Sequence, residues 1–214
     1  DIVGTQYLRN MKYSKAVEYL GAVSGSYNKG HLNTYIYYNP FSLVKDDNAH
    51  NDSFSGSLSY DFGSECDFKY SFAREMCSLE HSIATVKDPN RKAWLMVRYA
   101  IGIRNSFDSC WALTQYYKGC FLSGSVIPIK RDWESDRITL KATKRAEKMC
   151  ADACQRVTDP EVGANLNYLL CNFRTVAERY PDTEKGKLVR GECDRLIDYH
   201  VERYTPTQRE RGGY

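Results

Sequence analysis

The sequence contains no stretch approaching 18 consecutive apolar residues, so hydropathy gives no membrane-spanning helix. It has no excess of one charge sign. The 30 basic and 27 acidic side chains leave a net charge of +3, too even for the basic footprint of a nucleic-acid binder. Alternation of apolar and polar residues is almost absent: outside residues 31–38 no segment alternates over six positions, which argues against a half-buried sheet. There is no glycine-rich phosphate loop, no Gly-x-Ser-x-Gly and no His-Glu-x-x-His, so the common signatures of nucleotide, serine-hydrolase and zinc-protease chemistry are missing. The acidic clusters Asp46-Asp47 and Asp61, Glu65, Asp67 lack the Asp-x-Asp-x-Asp-Gly frame of a calcium loop and read as solvated loop. No signal peptide is recognisable, and Asp1-Ile2-Val3-Gly4 lacks an initiator Met. Tyr7-Leu8 reads as the tail of a helix already under way, so the chain is expected to be cut from a longer protein.

Cysteine and tyrosine are abundant. Eight cysteines, at 66, 77, 110, 120, 150, 154, 171 and 193, are compatible with a disulfide framework. Cys77, Cys150, Cys154, Cys171 and Cys193 fall in expected helices, where a cysteine behaves as a small apolar residue, and mostly free thiols are expected. Cys66, Cys110 and Cys120 lie at or near loops and are the better bridge candidates. Seventeen tyrosines against eight phenylalanines point to half-buried helix–helix packing, since most of them fall on apolar faces.

Helical periodicity runs through most of the chain. Tyr13, Ala16, Leu20 and Val23 share one face of the second arm of a hairpin spanning residues 3–24. Residues 31–38 fit either a strand or a short helix, and residues 44–67 are polar and irregular. Phe68, Phe72, Met76, Leu79, Ile83 and Val86 form a clean helical stripe, ended by Asp88-Pro89, where Pro89 is placed to open the next helix. Residues 90–104 are apolar nearly all round and should lie at the centre of the fold. A break is expected at Asn105-Ser106, with Ser106 as N-cap of a further helix from Phe107 to Lys118 on which Phe107, Cys110, Trp111, Thr114 and Tyr117 share a face. After a second long connection over 119–132, three helices close the chain. Their stripes are Ile138, Ala142, Ala146, Met149, Ala153 and Val157; then Leu166, Leu169, Phe173, Val176, Ala177 and Tyr180; then Leu188, Cys193, Leu196, Ile197 and His200. Lys141, Lys144, Arg145 and Lys148 are assigned to the outer, solvated face of the first.

Candidate chemistry is sparse. Cys150-x-x-x-Cys154 puts two thiols on one helical face and could supply half a zinc site, with Cys171 and Cys193 on the following helices; small core residues at helix crossings are the preferred reading. No pairing pattern links a cysteine to His31, His50, His81 or His200, so these read as structural histidines. Asn51-Asp52-Ser53 matches a glycosylation acceptor, a frequent accidental pattern. No metal or cofactor is therefore expected. The strongest candidate for recognition is the group Arg98, Tyr99, Arg104, Asn105, Trp111, Gln115 and Tyr116, in which polar side chains and aromatics gather at a helix junction. The same grouping also fits a buried polar network that fixes the junction.

Three stretches carry a family resemblance: Tyr13-x-x-Ala16-x-x-Tyr19-Leu20; Arg98-Tyr99-Ala100-Ile101-Gly102 through Asn105-Ser106-Phe107 and Cys110-Trp111-Ala112-Leu113-Thr114-Gln115-Tyr116; and Phe173 to Thr183. Through them the chain resembles tetratricopeptide-like helical-repeat proteins, and in particular the C-terminal part of large envelope proteins of anaerobic gut bacteria. The resemblance implies an α-helical scaffold and a bacterial cell envelope or periplasmic location, and it implies no catalytic residue. The expectation is an all-α chain of about eight helices, stacked as antiparallel hairpins in an irregular superhelix. Its parts would be an N-terminal hairpin at 1–38, an irregular loop at 39–67, a main helical domain at 68–204 and a tail at 205–214. The expected function is a non-enzymatic scaffold for a protein or peptide partner. The alternatives are an enzyme acting on envelope glycan or peptide, with its chemistry upstream or in the loops, and a structural spacer.

Overall fold

The structure, a computed structural model, describes residues 1–24, 40–41, 68–108, 110, 113–114 and 133–192. It is all-α, with eight helices and no strand among the described residues: α1 (Ile2–Arg9), α2 (Tyr13–Gly21), α3 (Phe68–Thr85), α4 (Pro89–Phe107), α5 (Trp133–Arg156), α6 (Pro160–Leu169), α7 (Phe173–Arg179) and α8 (Glu184–Val189). They belong to two compact units that divide after Gln155. The segment 31–38, the loop 44–67, the connection 119–132 and the stripe beyond Glu192 lie outside the described residues, as does the tail 205–214.

In the first unit consecutive helices are spatial neighbours: α1 packs on α2, α2 on α3 and α3 on α4. The stripes that the spacing marks are the faces that meet. Tyr13, Ala16 and Leu20 of α2 are buried against Phe72, Met76 and Leu79 of α3, and Tyr99, Ala100 and Ile103 of α4 complete the core. Ala142 and Ala146 of α5 join the same cluster. Tyr13 is the hub of the aromatic packing, with edge-to-face contacts to Phe72 and Tyr99 at centroid distances of 6.2 and 5.9 Å. As anticipated, α4 is largely buried, but Trp94 stands 39% exposed on its outer side.

Three helix starts follow from short polar side chains. Asp88 accepts from the backbone N–H groups of Asn90 and Arg91 at 3.1 and 3.2 Å, and Pro89 occupies the first helical position of α4, where no N–H is needed. Asp159 and Pro160 repeat the arrangement at α6. Thr183 caps α8 by accepting from the Gly186 N–H at 3.0 Å while its own hydroxyl donates to the Tyr180 carbonyl at 2.7 Å.

Three helix ends share one geometry. Met11 after α1 and Cys171 after α6 adopt left-handed backbones, with φ of 55° and 59°; Gly191 after α8 does the same at 74°. In each case the next residue's N–H reaches back five positions, Lys12 to Tyr7, Asn172 to Asn167 and Glu192 to Lys187, all at 2.8–2.9 Å. This closes the exposed carbonyls of the last turn, and between α1 and α2 and between α6 and α7 it joins the two helices within three residues.

Four expectations are corrected. The stripe from Leu166 to Tyr180 is two helices, because the left-handed Cys171 resets the helical phase; Leu169 and Phe173 consequently stand 37% and 45% exposed instead of facing the core. Cys171 lies in the turn, not in a helix. No break occurs at Asn105-Ser106: Ser106 is helical, its hydroxyl donating to the Ile103 carbonyl at 2.8 Å, so it does not act as an N-cap. The chain instead turns after Phe107, with the Cys110 N–H on the Asn105 carbonyl at 2.7 Å, so Phe107 ends a helix and does not start one.

In the second unit Gly186 fits where no side chain would. A Cβ there would overlap the Tyr180 carbonyl oxygen and lie 2.9 Å from the Pro181 carbonyl group. Gly186→Ala is expected to destabilise α8 by about 1–3 kcal/mol despite alanine's higher helix propensity, since the obstacle is backbone. Thermal unfolding followed by circular dichroism should show part of the helical signal melting earlier; an unchanged melt would mean that α8 can move off Tyr180 without cost.

Candidate functional site

The polar residues of α4 project to two neighbours. On one side Tyr99 is fully buried, and its hydroxyl donates to Glu80 Oε1 of α3 at 2.6 Å. The same oxygen accepts from Arg145 Nη2 of α5 at 2.6 Å, and Arg145 Nη2 lies 3.2 Å from Glu80 Oε1. The guanidinium also stands 5.4 Å from the centroid of the Tyr99 ring. One hydroxyl therefore joins three helices, with a carboxylate accepting its proton and a cation filling its lone pair. Burial raises the Tyr99 hydroxyl far above its ordinary range, with the neighbouring Tyr13 and the bond to Glu80 acting in the same direction, so it stays protonated.

On the other side Arg98 Nη2 donates to Glu75 Oε1 at 2.9 Å, and its guanidinium covers the Phe41 ring at 5.1 Å. Asn105 Nδ2 donates to the Pro40 carbonyl at 3.1 Å. Gly102 makes room for this contact, since a Cβ there would fall 2.7 Å from both Phe41 Cε1 and Met76 Sδ. Residues 40–41 are thus held on α3 and α4 by ring packing (Phe41 to Phe72, 5.6 Å) and by Asn105.

Of the seven residues expected to form a recognition group, the structure brings Arg98, Tyr99 and Asn105 into these internal contacts and leaves Arg104 exposed. Trp111, Gln115 and Tyr116 lie outside the described residues. The sequence reading missed Glu75, Glu80 and Arg145. Arg145 was placed on a solvated face, yet it borders the Ala142–Ala146 stripe and turns inward; a cation beside two alanines on an otherwise buried flank was the available signal.

A different surface is open. Ile2, Val3 and Tyr19 of the N-terminal hairpin are 66%, 51% and 40% exposed, and Tyr7 stacks on Tyr19 at 5.3 Å. Ile2, Val3 and Tyr7, with Gln6, Asn10 and Lys12, line a groove of about 480 Å³ on α1. Across the hairpin, Lys69 of α3 donates to Thr5 Oγ1 at 2.8 Å, with the Asp1 carboxylate at 3.4 Å. Burial lowers the Lys69 ammonium to about 8, since a carboxylate at that distance does not offset the loss of water. Among the described residues no three His, Cys, Asp or Glu side chains gather as a metal site, and no helix is long and apolar enough to cross a membrane.

Two tyrosines give a paired prediction. The Tyr13 hydroxyl is buried without a hydrogen-bond partner, whereas that of Tyr99 has two. Tyr13→Phe is expected to be neutral or stabilising, and Tyr99→Phe to cost about 1–3 kcal/mol by leaving Glu80 and Arg145 without the shared oxygen. Urea denaturation of both variants checks this, and equal losses would contradict it. Lys69 predicts a pH dependence. Its folded value lies below the unfolded one, so between about pH 8 and 10 the unfolded chain binds more protons and this group's contribution to stability rises with pH. Comparing wild type with Lys69→Met across that window should show the rise only in wild type.

The chain matches no family model, no curated protein and no solved structure.

Proposed function

We propose that this protein is a non-enzymatic helical-repeat module that binds a protein or peptide partner, with a stack of antiparallel hairpins of the tetratricopeptide-like kind as its scaffold. The observation that carries the reading is the outer face of the α1–α2 hairpin. Ile2, Val3 and the Tyr7–Tyr19 stack form an apolar centre, and Gln6, Asn10 and Lys12 form a polar rim. Large apolar side chains rimmed by polar ones mark contact surfaces in soluble proteins. A groove along a helix suits an amphipathic helix laid against it, with its apolar residues on Ile2 and Val3 and an acidic residue opposite Lys12. The sequential packing of α1, α2, α3 and α4 and the recurring three-residue turns support a scaffold of stacked hairpins. Exposed Arg104 and half-exposed Arg98 are a second, polar surface on α4.

The test is affinity capture with the intact chain, read by mass spectrometry, for wild type, for Ile2→Glu with Val3→Glu, and for Arg98→Ala with Arg104→Ala. Partners held by wild type should be lost from the double-glutamate variant while its helical circular dichroism is unchanged. A partner set identical in all three proteins would overturn the reading.

A further inference from the structure

Two thiols on one turn of α5 have no part in the contacts above. Cys150 and Cys154 are spaced i and i+4 on this helix, and both are free and half-buried; Cys150 packs against the core beside Met149. Side chains at this spacing stand one above the other, with Cβ atoms about 5–6 Å apart. A disulfide requires Cβ atoms about 3.5–4.5 Å apart, so this pair cannot close an S–S bond without distorting the helix. A single metal ion between the sulfurs, with metal–sulfur bonds of about 2.3 Å, joins atoms up to about 4.6 Å apart, which suits the helical spacing. From α4, Arg104 brings a positive charge close enough to act on Cys150, and Glu147 is the neighbour of Cys150 one turn back on α5.

We propose that Cys150 and Cys154 form a two-thiolate clasp for one soft monovalent metal ion of the Cu(I) class, with Arg104 balancing the charge of the complex. Thiolates select soft ions, and two ligands in line satisfy Cu(I), whereas a structural zinc site takes four. On binding, each thiol gives its proton to solvent and a sulfur–copper bond replaces each S–H bond; no electron is transferred. Two thiolates and one Cu(I) leave a single negative charge, which the Arg104 guanidinium offsets. Without the ion both thiols are held protonated. Burial raises both, with the nearby Cys154 adding to the effect on Cys150, which is pushed up to about 11 although Arg104 pulls it down. The empty site is therefore a poor nucleophile. Occupancy is coupled to pH, because two protons leave for each ion bound.

The experiment uses the intact, reduced chain and Cu(I) delivered in competition with a colorimetric Cu(I) chelator, at two pH values one unit apart below the thiol range. One equivalent should be retained, about a hundredfold more tightly at the higher pH. Cys154→Ser and Cys150→Ser should each abolish it; Cys154→Ser is decisive if the more buried Cys150→Ser disturbs the fold. Arg104→Gln should weaken it, while Cys77→Ser and Cys171→Ser leave it unchanged. X-ray absorption at the copper edge should show two sulfur neighbours. Retention of the ion by a folded Cys154→Ser protein, or a centre with three or four sulfurs, would overturn the proposal.

Discussion

A single phenolic oxygen sets the register of three helices in the first unit. Tyr99 lies at the centre of α4 with no access to water, and an unmatched hydroxyl there would cost about 1–3 kcal/mol. Its proton can go to one acceptor and its lone pairs need a donor. Glu80 of α3 and Arg145 of α5 supply these while contacting each other, so sliding any of the three helices by one turn would break at least one of the bonds. The apolar stripes tolerate many offsets, because leucine and alanine ridges pack in several registers. The charge-assisted contacts do not, and they select one arrangement from those that the stripes allow. Tyr13 packs edge-on against the same ring, so the hairpin α1–α2 is referred to this point as well.

The helical content was legible because the chain writes it as spacing. The stripe from Phe68 to Val86 predicted α3, and Asp88-Pro89 marked a helix start that the structure places at the same residues. Two kinds of feature were not legible. The first is a left-handed residue that is not glycine. Nothing in Leu170-Cys171-Asn172 announces a turn, since the conformation of Cys171 is fixed by the Asn172 N–H on the Asn167 carbonyl and by burial of Asn167, not by the residue's own preference. The second is the partner of a buried polar group. Tyr99 was picked out as a polar aromatic at a helix junction, but whether its hydroxyl served a ligand or a neighbour depended on Glu80 and Arg145. They lie 19 and 46 residues away, and no local pattern links them to it.

Left-handed helix ends also allow helices of unequal length. Each such end closes its helix wherever a left-handed residue is tolerated, at a cost of about 1–2 kcal/mol for Met11 and Cys171 and at almost none for Gly191. Helix length is then set by the distance from a cap to such a residue. Unequal hairpins can still stack, because each needs only an apolar stripe that matches its neighbour's.

Energetics separate the two surfaces that sequence and structure offer for recognition. A ligand at Arg98, Tyr99 or Asn105 would have to take hydrogen bonds already made to Glu75, Glu80 and the Pro40 carbonyl, and each exchange yields little beyond what it breaks. On α1 the balance is different. Ile2 and Val3 hold apolar area in water, and covering it returns about 25 cal/mol for each Å² while breaking none of these contacts. The Tyr7–Tyr19 stack adds rigid rings whose orientation is already fixed, so little side-chain freedom remains to be lost when a partner arrives. A surface that is apolar, ordered in advance and rimmed by polar ends such as Lys12 is where a second helix would gain most, and this favours the hairpin's outer side over α4 for the binding role proposed above.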